Sequence, residues 1–522
     1  MKRLYLLVAV FSVTLSLVPT TRADELMSPN TAARMGLEEA WQRQLRVPGG
    51  AASIVHQEIF LHGVDQKEYV EILGESVEGK SAPVLFRLDV NTPGATGAPI
   101  GKEEAERLAR REVRRLKRRG GDPKVTSRSV PRVCLYTAAR NGTIECRDAE
   151  TGTPIWMTQV GDARLPFGKL GVDDKYLSIT NGGSLITIDV TNGEPISNIR
   201  TLSIPLYGTI HAGGHSILPT IRNGIEGYWL ADTEEVPFME IVAGLALKPP
   251  TRSPSSAKVA WGTDRSFVYV METSGEPSVL FRLQTDGIVN GRIAGASGDR
   301  FFFGSESGQV YGVRATRSGR VLWSRPYGEP FYKDPMLVDG VMMIPSAYGN
   351  LFALDEKTGL SVWNAPAANV DEVVGGFEGK VFVRLISGGL AALDVKTGKL
   401  LEVDRSLMPL KLLVNRSTNR LYLVNSRGTV QCLRPIGGEL PSLQESMRPS
   451  DDSEAEDTSS KPMEKTTKPN NDPFQAKDPF GVGPDAGGAG ANDPFGAPGG
   501  MADDPFGAPQ GDAKDPFGGS PF

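Results

Sequence analysis

The sequence predicts an all-β protein: a β-propeller of seven or eight four-stranded blades, with a short N-terminal α/β extension and a disordered C-terminal tail. Three observations lead there. A turn motif recurs at intervals near 40 residues through the middle of the chain. Short β-rich runs bounded by glycine and Asn-Gly turns lie between the motifs. Glycine (60) and proline (38) are both in surplus in a chain of 522 residues, as turn-rich β structure or disorder requires. The length alone would allow roughly three or four domains. A formal charge of -5 excludes a generally basic nucleic-acid binder. Three cysteines are too few for a disulfide scaffold.

The chain opens on an address. Lys2 and Arg3 precede an uncharged, mostly apolar run from Leu4 to Val18, and Thr21-Arg22-Ala23 ends in small residues at the positions a signal peptidase reads. Residues 1–23 are therefore expected to be a signal peptide, cleaved after Ala23, which would take the formal charge from -5 to -8. The run is shorter than the roughly 18 residues of a spanning helix, so no transmembrane anchor is expected. No cysteine stands near the cleavage site for a lipid anchor. The expected destination is periplasmic or secreted.

Residues 24–125 read as an N-terminal extension. A short helix is expected over Thr31 to Gln44, with Trp41 on its apolar side. Gly74-Glu-Ser-Val-Glu-Gly79-Lys80-Ser81 has the spacing of a phosphate-binding loop. Such a loop must open a helix, whereas Ala82-Pro83 leads into a strand-like run and Glu75 and Glu78 would repel phosphate, so a hairpin loop is expected. Residues 102–119 form a helix with nine basic and four acidic residues and an apolar stripe of Ala105, Leu108, Ala109, Val113 and Leu116. It reads as a solvated helix resting on the propeller by that stripe. Its alternative role is docking to an acidic surface, to anionic lipid or to nucleic acid, and no nucleic-acid partner is expected after secretion.

The repeats occupy 126–437. Cys146-Arg-Asp148-Ala-Glu-Thr151-Gly152-Thr-Pro-Ile-Trp156 aligns with Ala353-Leu-Asp355-Glu-Lys-Thr358-Gly359-Leu-Ser-Val-Trp363. Ala392 to Gly398 repeats the pattern through Asp394, with Glu402 in the Trp column. Weaker copies run through Asp189 and Gly193, and through Gly319 and Trp323. Intervals between motif glycines are 41 (Gly152 to Gly193), 40 (Gly319 to Gly359) and 39 (Gly359 to Gly398). Two degenerate units are expected at Gly227 to Ala243 and Val268 to Ile293. Asp can accept backbone N–H groups two or three residues on, and Gly supplies the positive φ. A sheet of about 40 residues cannot bury both faces alone, and a ring of such sheets solves that. The last unit supplies three strands, so an N-terminal strand is expected to close the ring, either Glu68 to Leu73 or Val84 to Leu88.

The pattern Ala-x-Asp-x-x-Thr-Gly-x-x-x-Trp resembles the tryptophan-docking repeat of the pyrroloquinoline-quinone (PQQ)-like propeller family, over about 60% of the chain. The family includes quinoprotein dehydrogenases and non-catalytic scaffolds, so the resemblance implies the fold more sharply than the function. Its dehydrogenases typically use two adjacent cysteines against the quinone, and this sequence has no Cys-Cys pair and no C-x-x-C-H haem site. No catalytic residue and no cofactor are predicted, and a PQQ-dependent dehydrogenase is the alternative reading. Cys146 and Cys432 share a column with Thr187, Ala353 and Ala392, where a small residue is needed under a docking Trp. Whether the two thiols pair is left open, and Cys134 is expected in the core. His211 and His215 are the one pair that could approach a metal, though a solvated loop is the plainer reading.

From 438 onward the chain turns acidic and Gly/Pro-rich, too poor in apolar surface to fold. Asp-Pro-Phe recurs five times, placing Phe474, Phe480, Phe495, Phe506 and Phe517 as spaced anchors. These read either as a multivalent array of weak interaction motifs or as a solubilising tail. The function expected from the whole is a secreted or periplasmic scaffold that binds a protein or cell-envelope partner.

Overall fold

The computed structural model describes residues 26–75, 82–94, 97–118, 122–407 and 411–444. The signal peptide, most of the phosphate-loop look-alike and the five Asp-Pro-Phe copies lie outside these residues.

Eight antiparallel sheets follow one another along the chain. Blade 1 uses the first half of Ile54–Leu73, the second half of Lys124–Ala139, Thr143–Asp148 and Pro154–Gln159. Blade 2 runs from Phe167 to Arg200 and blade 3 from Ile210 to Ile241. Blade 4 spans Thr251 to Gln284 and blade 5 Ala294 to Pro326. Blade 6 has three strands from Met336 to Asp355, with isolated bridges from Leu354 to Ser361 and from Leu351 to Ala367 in place of a fourth. Blade 7 covers Val370 to Asp404, and blade 8 Lys411 to Pro435. The first strands of successive blades lie against one another and line the centre. Apolar clusters fill each junction, including the one between blades 8 and 1. The two degenerate units are blades 3 and 4.

Ring closure differs from the sequence expectation. The closing strand is Leu37–Gln44, which pairs along Thr429–Pro435 as the outermost strand of blade 8. No helix spans 31–44. Ser28 caps helix α1 (Pro29–Met35) at its start, and Gly36, at φ 78°, ends it. Leu37 and Trp41 are then buried on a strand rather than on a helix face. The expected closers, Glu68 to Leu73 and Val84 to Leu88, instead pair with each other, and Glu68 to Leu73 pairs in turn with Lys124–Ser129 beyond blade 1. This sheet carries helix α2 (Gly101–Lys117), whose Ala105 and Ala109 bury against Val70 and Ile72. The stripe thus rests on the extension's own sheet and not on the propeller. Order also continues past 438: Gln444 is buried and donates to the Gly376 carbonyl (2.7 Å).

One contact recurs around the ring. Asp148 accepts the N–H groups of Glu150 (2.9 Å) and Thr151 (3.0 Å), and Asp355 and Asp394 do the same for their turns. Gly152, Gly193, Gly359 and Gly398 all sit at φ between 68° and 78°. Each lies flat beneath the Trp of the preceding blade. A Cβ on Gly359 would stand 2.4 Å from the Trp323 ring, and one on Gly152 would stand 2.5 Å from Trp41. The indole N–H groups then reach backbone carbonyls of the same turns: Trp41 to Ala149 (2.9 Å), Trp156 to Val190 (2.8 Å), Trp323 to Glu356 (2.9 Å) and Trp363 to Val395 (2.8 Å). Phe281 takes the same place over Gly319.

The small-residue column has a more local cause than docking from another sheet. Trp156 is the cross-strand partner of Cys146, Trp41 of Cys432, and Trp323 of Gly312. Each ring therefore covers a small residue of its own blade while it reaches the next one. All three cysteines are free and buried. Cys146 packs between blades 1 and 2 and Cys432 between blades 8 and 1, in separate clusters.

Trp41→Ala removes the ring that closes the circle and is expected to cost about 3–5 kcal/mol in chemical unfolding. Phe86→Ala, at a 38% exposed position of the extension, is expected to cost far less.

Candidate functional site

The two faces of the ring differ in chemistry. One face carries the Asp-x-x-Thr-Gly turns and the extension, tied together by Lys67 and Asp148 (2.6 Å). The other carries the loops that enter each innermost strand and the turns between second and third strands; we call it the loop face. Leu202, Ile204 and Ile221 are 56%, 56% and 47% exposed there, and Ile221 N–H donates to the Ile204 carbonyl (3.1 Å), so they form one patch over blades 2 and 3. Leu165, Tyr348 and Ile386 extend the exposed apolar surface around the same face.

Inside the ring, the innermost strands and the loops that enter them bring charges together. His56 and Glu58 come from blade 1, Lys169 from blade 2, Lys248 and Arg292 from the approaches to blades 4 and 5, Asp334 from the approach to blade 6, and Arg416 from blade 8. Arg416 reaches Asp334 (3.4 Å) although blade 7 separates them along the ring, so the pair bridges the central opening. Asp334 also accepts the Arg292 N–H (2.9 Å). Arg292 Nε donates to Thr251 Oγ1 (3.2 Å).

The electrostatics follow from enclosure. Burial, with Arg292 and Lys248 beside it, pushes the Lys169 amine down from 10.5 to about 8, against the pull of Asp334 and Glu58. Burial raises Glu58 despite Arg292, Lys169 and Arg416. Burial would raise Asp334 as well, but Arg416 and Arg292 outweigh it and hold the carboxyl low. His56 is lowered to about 3 by burial and by Lys169 and Arg292, and its Nδ1 accepts the Leu170 N–H (3.2 Å), so it is neutral. Four cations thus face Glu58 and Asp334, while Asp371 and Glu372 on blade 7's innermost strand stand beside Asp334 and pair with Lys333 and Arg384.

A second constellation has catalytic form but no access. His211 contacts Ser178 Oγ through Nε2 (2.5 Å) and Asp173 through Nδ1 (3.0 Å). Burial would raise Asp173, but His211 and the N–H groups of Tyr176 and Lys175 hold it low. Ser178 is fully buried, and its hydroxyl contacts Ser216 Oγ (3.2 Å), which contacts Thr209 in turn. This chain of hydroxyls lies at the junction of blades 2 and 3. There the apolar cluster is reduced to Leu185, Leu218 and Tyr228, and Ser197 stands in the Trp column. The relay fills a junction that lacks its docking ring. His215 accepts no shared ligand with His211: its Nδ1 faces the Gly213 carbonyl (3.2 Å) and its ring meets Trp229 edge-on at 4.4 Å. Among the described residues no group of three or more His, Cys, Asp or Glu is placed to hold a metal ion.

The sequence motifs led to the ring and missed the channel. Its charges sit on six blades at about one or two repeat lengths from one another (Lys248 to Arg292 is 44 residues, Arg292 to Asp334 is 42), but outside the turn motif that was read. A second repeating device was also missed: Tyr228, Tyr269 and Tyr311, 41 and 42 residues apart, each accept a loop N–H from Leu202, Ala243 and Asp286.

The Lys169 amine is expected to titrate near pH 8, read from its side-chain carbon shifts by NMR. Because its folded pKa lies below 10.5, the unfolded chain holds the proton more tightly, and stability should rise with pH from about 8 to 10.5. Ser178→Ala is expected to cost about 1–3 kcal/mol through the unsatisfied relay.

Residues 253–436 match the family model described as outer membrane protein assembly factor BamB, a PQQ-like repeat model. A 1-butanol dehydrogenase (cytochrome c) of Thauera butanivorans is 36% identical over 77 residues, 12% of this chain and 11% of that protein, so the chain matches about a tenth of that relative's length. BamB from Moraxella catarrhalis is 18% identical, with a TM-score of 0.46 over 58% of this chain and 91% of that one. The computationally designed Ika8 protein is 14% identical, with a TM-score of 0.46 over 57% and 92%. Sqt1 of Saccharomyces cerevisiae is 10% identical, with a TM-score of 0.44 over 58% and 92%. Blades 4 to 8 fall within or across the matched stretch, and the docking Trp, turn Gly and Asp recur on both sides of it. The chain folds as a β-propeller, and its residues 253–436 match a PQQ-like repeat model.

Proposed function

We propose that the protein is an extracytoplasmic, non-catalytic scaffold whose loop face holds a protein or cell-envelope partner. The observation that carries this reading is the patch of Leu202, Ile204 and Ile221, large apolar side chains about half exposed on adjoining loops of that face. Apolar residues rimmed by polar groups are what a protein interface presents. The description of the matching family, an outer-membrane assembly factor, agrees with it. No helix among the described residues is long and apolar enough to cross a membrane. The signal-peptide reading of residues 1–23 supplies the compartment, and the Asp-Pro-Phe tail would add weak multivalent contacts through Phe474, Phe480, Phe495, Phe506 and Phe517.

Quinone-dependent dehydrogenation is the second reading, favoured by the short match to the butanol dehydrogenase. The channel fits it poorly. A quinone-bound calcium needs several free oxygen donors, whereas Asp334 is engaged by Arg416 and the Arg292 N–H, and Glu58 stands beside His56 (3.6 Å).

A photo-crosslinking side chain at Ile204 is expected to trap a discrete envelope protein in cells. The same group at Ile241, 71% exposed on the outer edge of blade 3, is expected to trap none. Dye reduction by purified protein supplied with PQQ, calcium and an alcohol would overturn the scaffold reading.

A further inference from the structure

The channel mouth holds more positive charge than the fold uses. Of its four cations, Arg416 is committed to Asp334 and Arg292 donates to Thr251. The amines of Lys169 and Lys248 make no hydrogen bond or ion pair among the described residues. Arg416 Nε is buried with no hydrogen-bond partner among the described residues. Like charges on an open surface are screened by water and salt within about 10 Å. Inside a ring of strands they are screened less, and the depressed Lys169 amine records that cost. Unpaired buried charge is retained where something else supplies the counter-charge.

We propose that the channel mouth is a carboxylate-binding site that takes an extended acidic segment of the partner protein. The inference rests on the reading of the loop face as the docking surface and names what enters its centre. Lys169 and Glu58 lie within innermost strands rather than on the rim, so a flat anionic bilayer does not reach them. The cations come from blades 2, 4, 5 and 8, spread around the opening, which suits a chain carrying several carboxylates better than a single small ion. The apolar patch at Ile204 shares the face and gives the flanking residues of such a segment a place to pack. Glu58, Asp334 and, on blade 7, Asp371 and Glu372 set the limit: they repel a carboxylate placed beside them and favour one aimed at Lys169 and Lys248.

The probe is a fluorescein-labelled octaglutamate peptide, titrated with the purified mature protein by fluorescence anisotropy at low salt. Saturable binding is expected, weakened at least tenfold by Lys169→Met and by Arg292→Gln. Arg111→Gln, on the exposed face of α2, is expected to leave it unchanged. Lys169→Met should also raise the thermal midpoint, since it removes a charge held at a cost, and this shows that lost binding is not lost folding. Binding that is indifferent to both channel variants, or equally sensitive to Arg111→Gln, overturns the proposal. So does Lys169-dependent retention on phosphatidylglycerol vesicles. If octaglutamate fails to bind while Ile204 still crosslinks, the carboxylate site alone is wrong. If neither is seen, the scaffold reading falls with it.

Discussion

The structure depends on one contact repeated around a circle: an indole lying flat on the turn glycine of the next blade, with its N–H donated to a carbonyl of that turn. The contact sets two demands on the glycine, a positive φ and the absence of a Cβ beneath the ring. It also sets one on the strand next to the Trp, a small residue under the same ring, which is why Cys146, Cys432 and Gly312 occupy equivalent places. A ring is stable only if the last contact is made as well as the first. Trp41 makes it, from a strand that begins before the propeller does and ends up at the edge of blade 8. The closure is reinforced by buried ion pairs at the same seam. Arg147 pairs with Glu145 (2.6 Å) and donates to the Gln44 carbonyl (2.6 Å), while Arg420, fully buried, pairs with Glu150 (2.8 Å).

Where the docking ring is missing, polar chemistry replaces it. Ser197 occupies the Trp column of blade 2, and the junction to blade 3 is held by the relay from Asp173 through His211 and Ser178 to Ser216. A hydrogen-bonded serine, histidine and aspartate here are a means of packing two sheets, because a fully buried hydroxyl meets no substrate. The same junction has the thinnest apolar core of the eight, and about half-exposed apolar side chains lie on the loops above it.

The channel shows the opposite economy. Its cations are concentrated where the strands exclude solvent, and the fold gives only some of them a partner. Such an arrangement lowers stability and raises the affinity for an incoming negative charge by the same physics. The loop face therefore joins two kinds of surface that folding alone does not require, an apolar patch and a positively biased centre.

The architecture was legible in the sequence because the docking contact writes itself into local spacing. Asp148, Gly152 and Trp156 act within a dozen residues, and the repeat near 40 residues shows how many times the unit recurs. The identity of the closing strand was not legible, since Leu37–Gln44 carries no turn motif of its own and Trp41 could be read as well on a helix. Its pairing with Thr429–Pro435 joins residues almost 400 apart. The helix stop at Gly36 was visible in the letters but had no weight until the strand beyond it found a partner. The channel was the least legible feature. Lys169, Lys248, Arg292 and Arg416 are ordinary surface letters in sequence and lie outside the turn motif, although their spacing follows the repeat. Only the closed ring brings all four together, because the innermost strands and the segments that enter and leave them surround the same axis. Sequence by itself determined the repeating unit and its docking chemistry; tertiary structure decided which strand closes the ring and which charges meet at its centre, since both depend on contacts between residues that the chain keeps far apart.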